Sequence, residues 1–109
     1  MTNILLTGAT RGIGAACAAA FSGQQLIGTG SADGDLADPA TPARLWAMAL
    51  ERLGGRIDVL VNNAGVFEAA PIDQPHGDWV AAWERTMRIN LTAAAELCRL
   101  AVLHFREHG

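Results

Sequence analysis

The stretch Thr7-Gly8-Ala9-Thr10-Arg11-Gly12-Ile13-Gly14 sets three glycines and an arginine directly after the apolar run Ile4-Leu5-Leu6. If the run is a strand and Gly12 opens a helix, the junction is an anion site. The first turn of a helix carries N–H groups without partners, and the macrodipole adds roughly half a positive charge there. Glycines let the chain turn sharply and let a ligand approach with no Cβ in the way. The spacing Gly8, Gly12, Gly14 is not the G-x-G-x-x-G of the commonest dinucleotide fingerprint. Taken alone, it fits a purely structural strand-to-helix turn as well as a phosphate cradle.

Other chemistry-bearing residues are sparse. His104 and His108 stand four apart, a spacing that chelates metal on a helix, but only Glu107 lies near as a third ligand and it points elsewhere. Histidines at a helix C-terminus facing the dipole are the plainer expectation, and no metal site is expected. Cys17 and Cys98 fall in alanine-rich patterns and are expected to be buried free thiols. Trp79 and Trp83 are also four apart, suited to core or subunit packing or to stacking on a substrate. His76, beside Pro75 and Gly77, is expected in a loop. The chain has no tyrosine, and its eight basic residues are all arginines. Its only serines are Ser22 and Ser31.

These residues need elements to position them. Asn3–Thr7 is expected to be a short buried strand. Ile13, Cys17, Ala20 and Phe21 recur at helical spacing among alanines, and Ser22-Gly23 ends that helix. Leu26-Ile27 is a second, weaker strand. The stretch 28–42 is dense in Gly, Asp and Pro and is loop by composition, with room for a very short strand around Asp35-Leu36. Leu45–Leu53 is helical, stopped by Gly54-Gly55. Ile57–Val61 is the clearest strand, apolar throughout its second half as in a sheet covered on both faces. A helical stretch from Asp78 to Glu107 closes the order. Its part from Leu91 to Phe105 is apolar nearly all round, which predicts burial on more than one side. Strands alternating with helices imply right-handed crossovers and a parallel sheet, one half of an α/β doubly wound nucleotide-binding fold.

Composition agrees. The chain has 109 residues, half of them hydrophobic, which suits one domain or part of a larger one. Net charge is −3 with no basic patch, so nucleic acid is not an expected partner. No long apolar run or leader pattern appears, so no membrane association is expected and a cytoplasmic location is the default.

Together, Thr7-Gly8-x-x-x-Gly12-x-Gly14, then Asn62-Asn63-Ala64-Gly65 after the strong strand, then Asn90 within Met87-Arg88-Ile89-Asn90-Leu91 resemble the short-chain dehydrogenase/reductase family, in its classical branch. The resemblance covers the whole chain, 1–109, but only the N-terminal, NAD(P)-binding, Rossmann-like half of the family's domain. It implies an oxidoreductase moving hydride between NAD(P)(H) and a small-molecule carbonyl or alcohol. Gly8, Arg11, Gly12, Ile13 and Gly14 would line the pyrophosphate and adenosine-ribose end of the cofactor. Asp35 and Leu36 would receive the adenine, although Asp35 also reads as a solvated turn residue. Asn63, Ala64 and Gly65 would border the ribose and phosphates, and Asn62 would stabilise the sheet. Asn90 would hold a water in the proton relay.

The second strand ends in Gly28-Thr29-Gly30 with no acid to favour a ribose 2′-OH, though Asp33 is close. Arg11 sets a permanent cation in the loop, either to pair with a 2′-phosphate or to point into solvent. NADP is therefore expected over NAD. The segment between the second strand and Asp35 is too short for the family's helix and third strand. The serine, tyrosine and lysine of the family's chemistry have no counterpart, so this chain alone is expected to be inactive. The resemblance also implies a homo-oligomer through the long helix 78–107. A non-catalytic dinucleotide-binding or interaction module stands as the alternative.

Overall fold

A computed structural model describes residues 1–108. Strand β1 (Asn3–Thr7) pairs in parallel with β2 (Gln25–Thr29) on one side and β3 (Val59–Val61) on the other, in the order β2-β1-β3. The register sets Leu5 opposite Ile27 and Leu60. Helix α1 (Gly12–Ala20) links β1 to β2, and α2 (Thr41–Arg52) links β2 to β3. The first link moves one way along the sheet and the second moves back across β1. Right-handed crossovers in opposite directions put α1 and α2 on opposite faces. The chain reverses direction at β1, and such a point opens a crevice at the C-terminal ends of the strands.

Side chains alternate along β1. Leu5 joins Trp46 and Ala49 of α2, Leu53 just after that helix, Ile57, and Leu97 and Ala101 of the last helix in the buried core. Ile4 and Leu6, equally buried, point to the opposite face. After β3 come α3 (His76–Met87), a five-residue π segment (Arg88–Thr92) and α4 (Ala93–His108). The expected helix 78–107 is thus a longer helical run with a π turn in its middle.

Several expectations change. No strand forms at Asp35-Leu36. Residues 31–33 make one 3-10 turn, and Asp35 to Asp38 close a turn by a backbone bond of 2.9 Å. Helix α2 starts earlier than expected because Pro42 stands in its first turn, where a missing N–H costs nothing. β3 is only three residues long, and Val59 is exposed because β3 is an edge strand among the described residues. The last helix is buried on one stripe only, at Ala93, Leu97, Ala101 and His104. Leu91 before it and Val102, Leu103 and Phe105 along it face outward. Cys98 is exposed and Cys17 half-buried, so neither is a core thiol.

The opposite end of the sheet is tied by side chains. Asn3 donates its Nδ2 protons to the carbonyls of Leu53 and Arg56, and its N–H to Asp58 Oδ2 at 2.8 Å. That bond and the Arg56 guanidinium hold the Asp58 carboxyl below the usual range. His104 is not at the helix end facing the dipole as expected. It is buried, edge-on to Trp46, and its Nε2 accepts the Ile57 N–H at 3.1 Å.

Candidate functional site

Three loops leave the C-terminal ends of the strands and enclose a cleft of about 860 Å³. The size falls within the range of roughly 300–1,000 Å³ usual for ligand pockets. Gly8, Arg11, Gly12, Ile13 and Gly14 line it from the first loop, Asp35 and Leu36 from the second, and Asn63, Ala64 and Gly65 from the third. Every one of these ten positions was expected from the sequence, and the fold brings all of them together. Asn90 is exposed and is not part of its lining.

The first and third loops are locked together. Gly8 has φ +66°, and a Cβ there would stand 2.8 Å from the Ala64 Cα. A Cβ on Gly14 would overlap the Gly8 carbonyl oxygen. The two glycines are therefore required by close backbone approach, which leaves the start of α1 bare toward the cleft. The buried Thr7 hydroxyl accepts the N–H groups of Asn63 and Ala64, both at 3.1 Å. Asn63 Nδ2 donates back to the Gly8 carbonyl at 3.0 Å. Asn62 Nδ2 donates to the Ala94 carbonyl and to Cys98 Sγ, tying the end of β3 to α4.

Asn90 lies inside the π segment. Its Oδ1 accepts the Val66 N–H and its Nδ2 donates to the Val66 carbonyl, both at 2.8 Å. The side chain thus clamps the chain just beyond Gly65. π turns recur at functional sites because the extra residue re-aims the side chains around it.

Arg11 precedes the first turn of α1 with extended backbone and an exposed side chain on the rim. At the end of β2, a Cβ on Gly30 would overlap the Thr10 methyl group. The nearby Asp33 is outside the lining and accepts the Gly30 N–H on its Oδ2 at 2.8 Å. Asp35 accepts the Ala37 N–H on Oδ1 and pairs through Oδ2 with Arg85, at 2.9 Å each. The Arg85 bond, then the Ala37 bond, keeps its carboxyl below the usual range. Asp35 is thus a turn residue, but an ion-paired one.

Sequence reasoning missed the roles of Thr7 and Arg85. Thr7 was visible as part of the glycine stretch, whereas Arg85 is 50 residues from its partner and has no local signal. Trp79 and Trp83 stack on one another at 5.6 Å, with Trp83 half exposed, so they are not core. Among the described residues no cluster of three or more His, Cys, Asp or Glu could hold a metal ion. No helix among the described residues is long and apolar enough to cross a membrane.

The family described as short chain dehydrogenase matches residues 23–109. Short chain dehydrogenase adrF of Penicillium roqueforti is 29% identical over 121 residues, spanning 95% of this chain and 46% of that protein. A short chain dehydrogenase/reductase from Brucella ovis superposes with a TM-score of 0.77 at 31% identity, over 95% of this chain and 56% of the other. A short chain dehydrogenase from Burkholderia cenocepacia, solved in complex with NADP, gives 0.76 at 28% identity, over 94% and 50%. Similar solved structures include complexes with NADPH and with a partially ordered NAD. The chain spans about half the length of the curated relatives it matches.

Proposed function

This chain belongs to the short chain dehydrogenase family, and on that premise we propose that its cleft holds a nicotinamide dinucleotide for an oxidoreductase acting on a small carbonyl or alcohol. One observation carries the reading. Three segments distant in sequence place ten motif positions around a single cleft, at the point where the crossovers of a parallel sheet change direction.

The residues fit such a group. Gly8 and Gly14 let the loops after β1 and β3 close on one another, and Gly12, with nothing within 4 Å of a Cβ, leaves the first turn of α1 open toward the cleft. Phosphate charge would rest on the amides of that turn. Arg11 stands free on the rim to meet a 2′-phosphate, and no cleft-lining acid at the end of β2 opposes one. These features favour NADP over NAD. Asn63, Ala64 and Gly65 would border the ribose and phosphates, and Asp35 and Leu36 the adenine. When bound, the cofactor supplies or accepts the hydride. Asn90 acts as a positioning residue, since both ends of its amide are engaged by Val66.

The proton on the substrate oxygen needs another donor. Of the family's proton-transfer set, the chain holds neither tyrosine nor lysine, and such help is worth about 10²–10⁴-fold. The acid–base groups would come from outside these 109 residues. The outward-facing Leu91, Val102, Leu103 and Phe105 favour a second subunit against α4.

Calorimetric titration tests the reading. NADP⁺ is expected to bind one to one and more tightly than NAD⁺. Arg11→Met should weaken NADP⁺ by about tenfold, the order of one charged hydrogen bond, and leave NAD⁺ unchanged. If neither dinucleotide binds, the proposal fails and the non-catalytic interaction module takes its place.

A further inference from the structure

The segment between β2 and α2 walls one end of the cleft through Ser31, Gly34, Asp35 and Leu36. It is fastened unlike any other wall. Among the described residues, the hydrogen bonds of residues 31–40 reach at most four positions along the chain, with one exception. That exception is Arg85 of α3, whose Nη1 donates to Asp35 Oδ2 at 2.9 Å. The Nε of the same guanidinium donates to Glu68 Oε1 at 2.7 Å. Glu68 sits in the loop that follows β3 and does not line the cleft, whereas Arg85 does. One planar cation therefore ties together the loops that leave two different strands.

Resting on the dinucleotide reading above, we propose that Arg85 is a positioning residue for the adenine end of the cofactor. It fixes Asp35, and with it the 31–40 segment, where no strand does so. The guanidinium fork suits this task because it serves two carboxylates at once from fixed directions. A lysine ammonium on a flexible stem would hold one of them loosely. The pairing also leaves Asp35 ionised and its second oxygen committed to the Ala37 N–H, so the turn keeps one shape.

Two variants separate fastening from bulk charge. Arg85→Met removes both bonds. Glu68→Gln weakens the tether while making the region less negative, so a purely electrostatic effect would tighten an anionic ligand. Fastening predicts the reverse. In titrations of the whole protein, Arg85→Met should weaken adenosine monophosphate and NADP⁺ by the same factor, about three- to tenfold. Nicotinamide mononucleotide should be unaffected. Glu68→Gln should weaken adenosine monophosphate about twofold. Without ligand, amide exchange over residues 33–38 should quicken in both variants, while Leu5 and Leu6 in β1 stay protected. Unchanged adenosine monophosphate affinity and unchanged exchange in Arg85→Met overturn the proposal, as does tighter binding in Glu68→Gln. Wild-type protein that binds neither ligand overturns the dinucleotide reading and the adenine role with it. The exchange arm then still decides whether Arg85 fastens the segment.

Discussion

The two walls of the cleft are held by different means. On one side, the loops after β1 and β3 are knitted by Thr7, Asn63 and two glycines, through bonds that cross more than fifty residues and end on backbone. On the other side, the segment after β2 folds on itself in short turns, and among the described residues its one long-range hydrogen bond is an exposed ion pair. Backbone bonds to a buried hydroxyl leave little freedom, because breaking them strands polar groups away from water. A surface ion pair is weaker and screened by salt. The first wall is therefore built to be rigid. The second depends on a side chain from a distant helix.

The largest effects should come from the knitted side. Gly14→Ala forces a methyl group into the Gly8 carbonyl, and backbone cannot give way as a side-chain tip can. The expected cost is about 3 kcal/mol, which lowers the melting temperature by roughly 10–20 °C in a domain this small. Gly23→Ala is the control, since nothing stands within 4 Å of a Cβ there. Equal melting of the two variants would mean that the loops are not in close contact. Thr7→Val comes next. It keeps the shape but leaves the Asn63 and Ala64 N–H groups without their acceptor, at about 1–3 kcal/mol. Thr7→Ser should restore most of the loss, and a neutral Thr7→Val in denaturant unfolding would remove the hydroxyl from the account.

A third measurement checks that such losses belong to the cleft and not to the sheet as a whole. His104 ties α4 to the chain entering β3 at the far end of the sheet. Burial, then the charges of His108 and Arg56, push it below its ordinary value of 6.5, against a smaller opposing pull from Glu107 and Asp58. A protonated imidazole cannot accept the Ile57 N–H. Between its lowered value and 6.5 the unfolded chain binds more protons than the folded one, so stability falls as pH drops below 6.5. Asp35 and Asp58 titrate below 3.8 and do not contribute in that window. Melting of the wild type should therefore drop between about pH 7 and pH 5.5. His104→Gln should flatten that slope. A slope that survives the substitution would place the titrating group elsewhere.

The contrast between the walls also explains what the sequence could show. The knitted side is made of residues whose types are dictated locally: a glycine where a Cβ has no room, and a helix start where amides must stay bare. Such requirements leave a motif, and Gly8 to Gly14 and Asn62 to Gly65 were legible together with the parallel sheet they imply. The other side has no such requirement. Asp35 could be placed as a candidate in a stretch that was loop by composition with room for a very short strand, but Arg85 carries no pattern that points 50 residues back. The outer helix misled for a related reason. An apolar sequence from Leu91 to Phe105 states what could be buried, while the neighbours present decide which stripe is. His104 belongs with these: its partner is a backbone N–H, which every residue but proline offers, so the sequence could not single it out.

The smallest effect should come from within the segment after β2. Asp38 is exposed, and its Oδ1 accepts only the Ala40 N–H two positions on, at 2.9 Å. Asp38→Ala should cost about 0.5 kcal/mol, the scale of an isolated surface substitution. If the segment's shape came from its own turns, this change would loosen residues 33–38 at least as much as Arg85→Met does. If the long-range tie decides the shape, amide exchange there should hardly move in Asp38→Ala while it quickens in Arg85→Met. The ratio of the two therefore measures which bonds hold the second wall, independently of any ligand. A larger effect at Asp38 would make the two walls alike in kind, each stabilised from within, and would leave Arg85 as an ordinary surface pair.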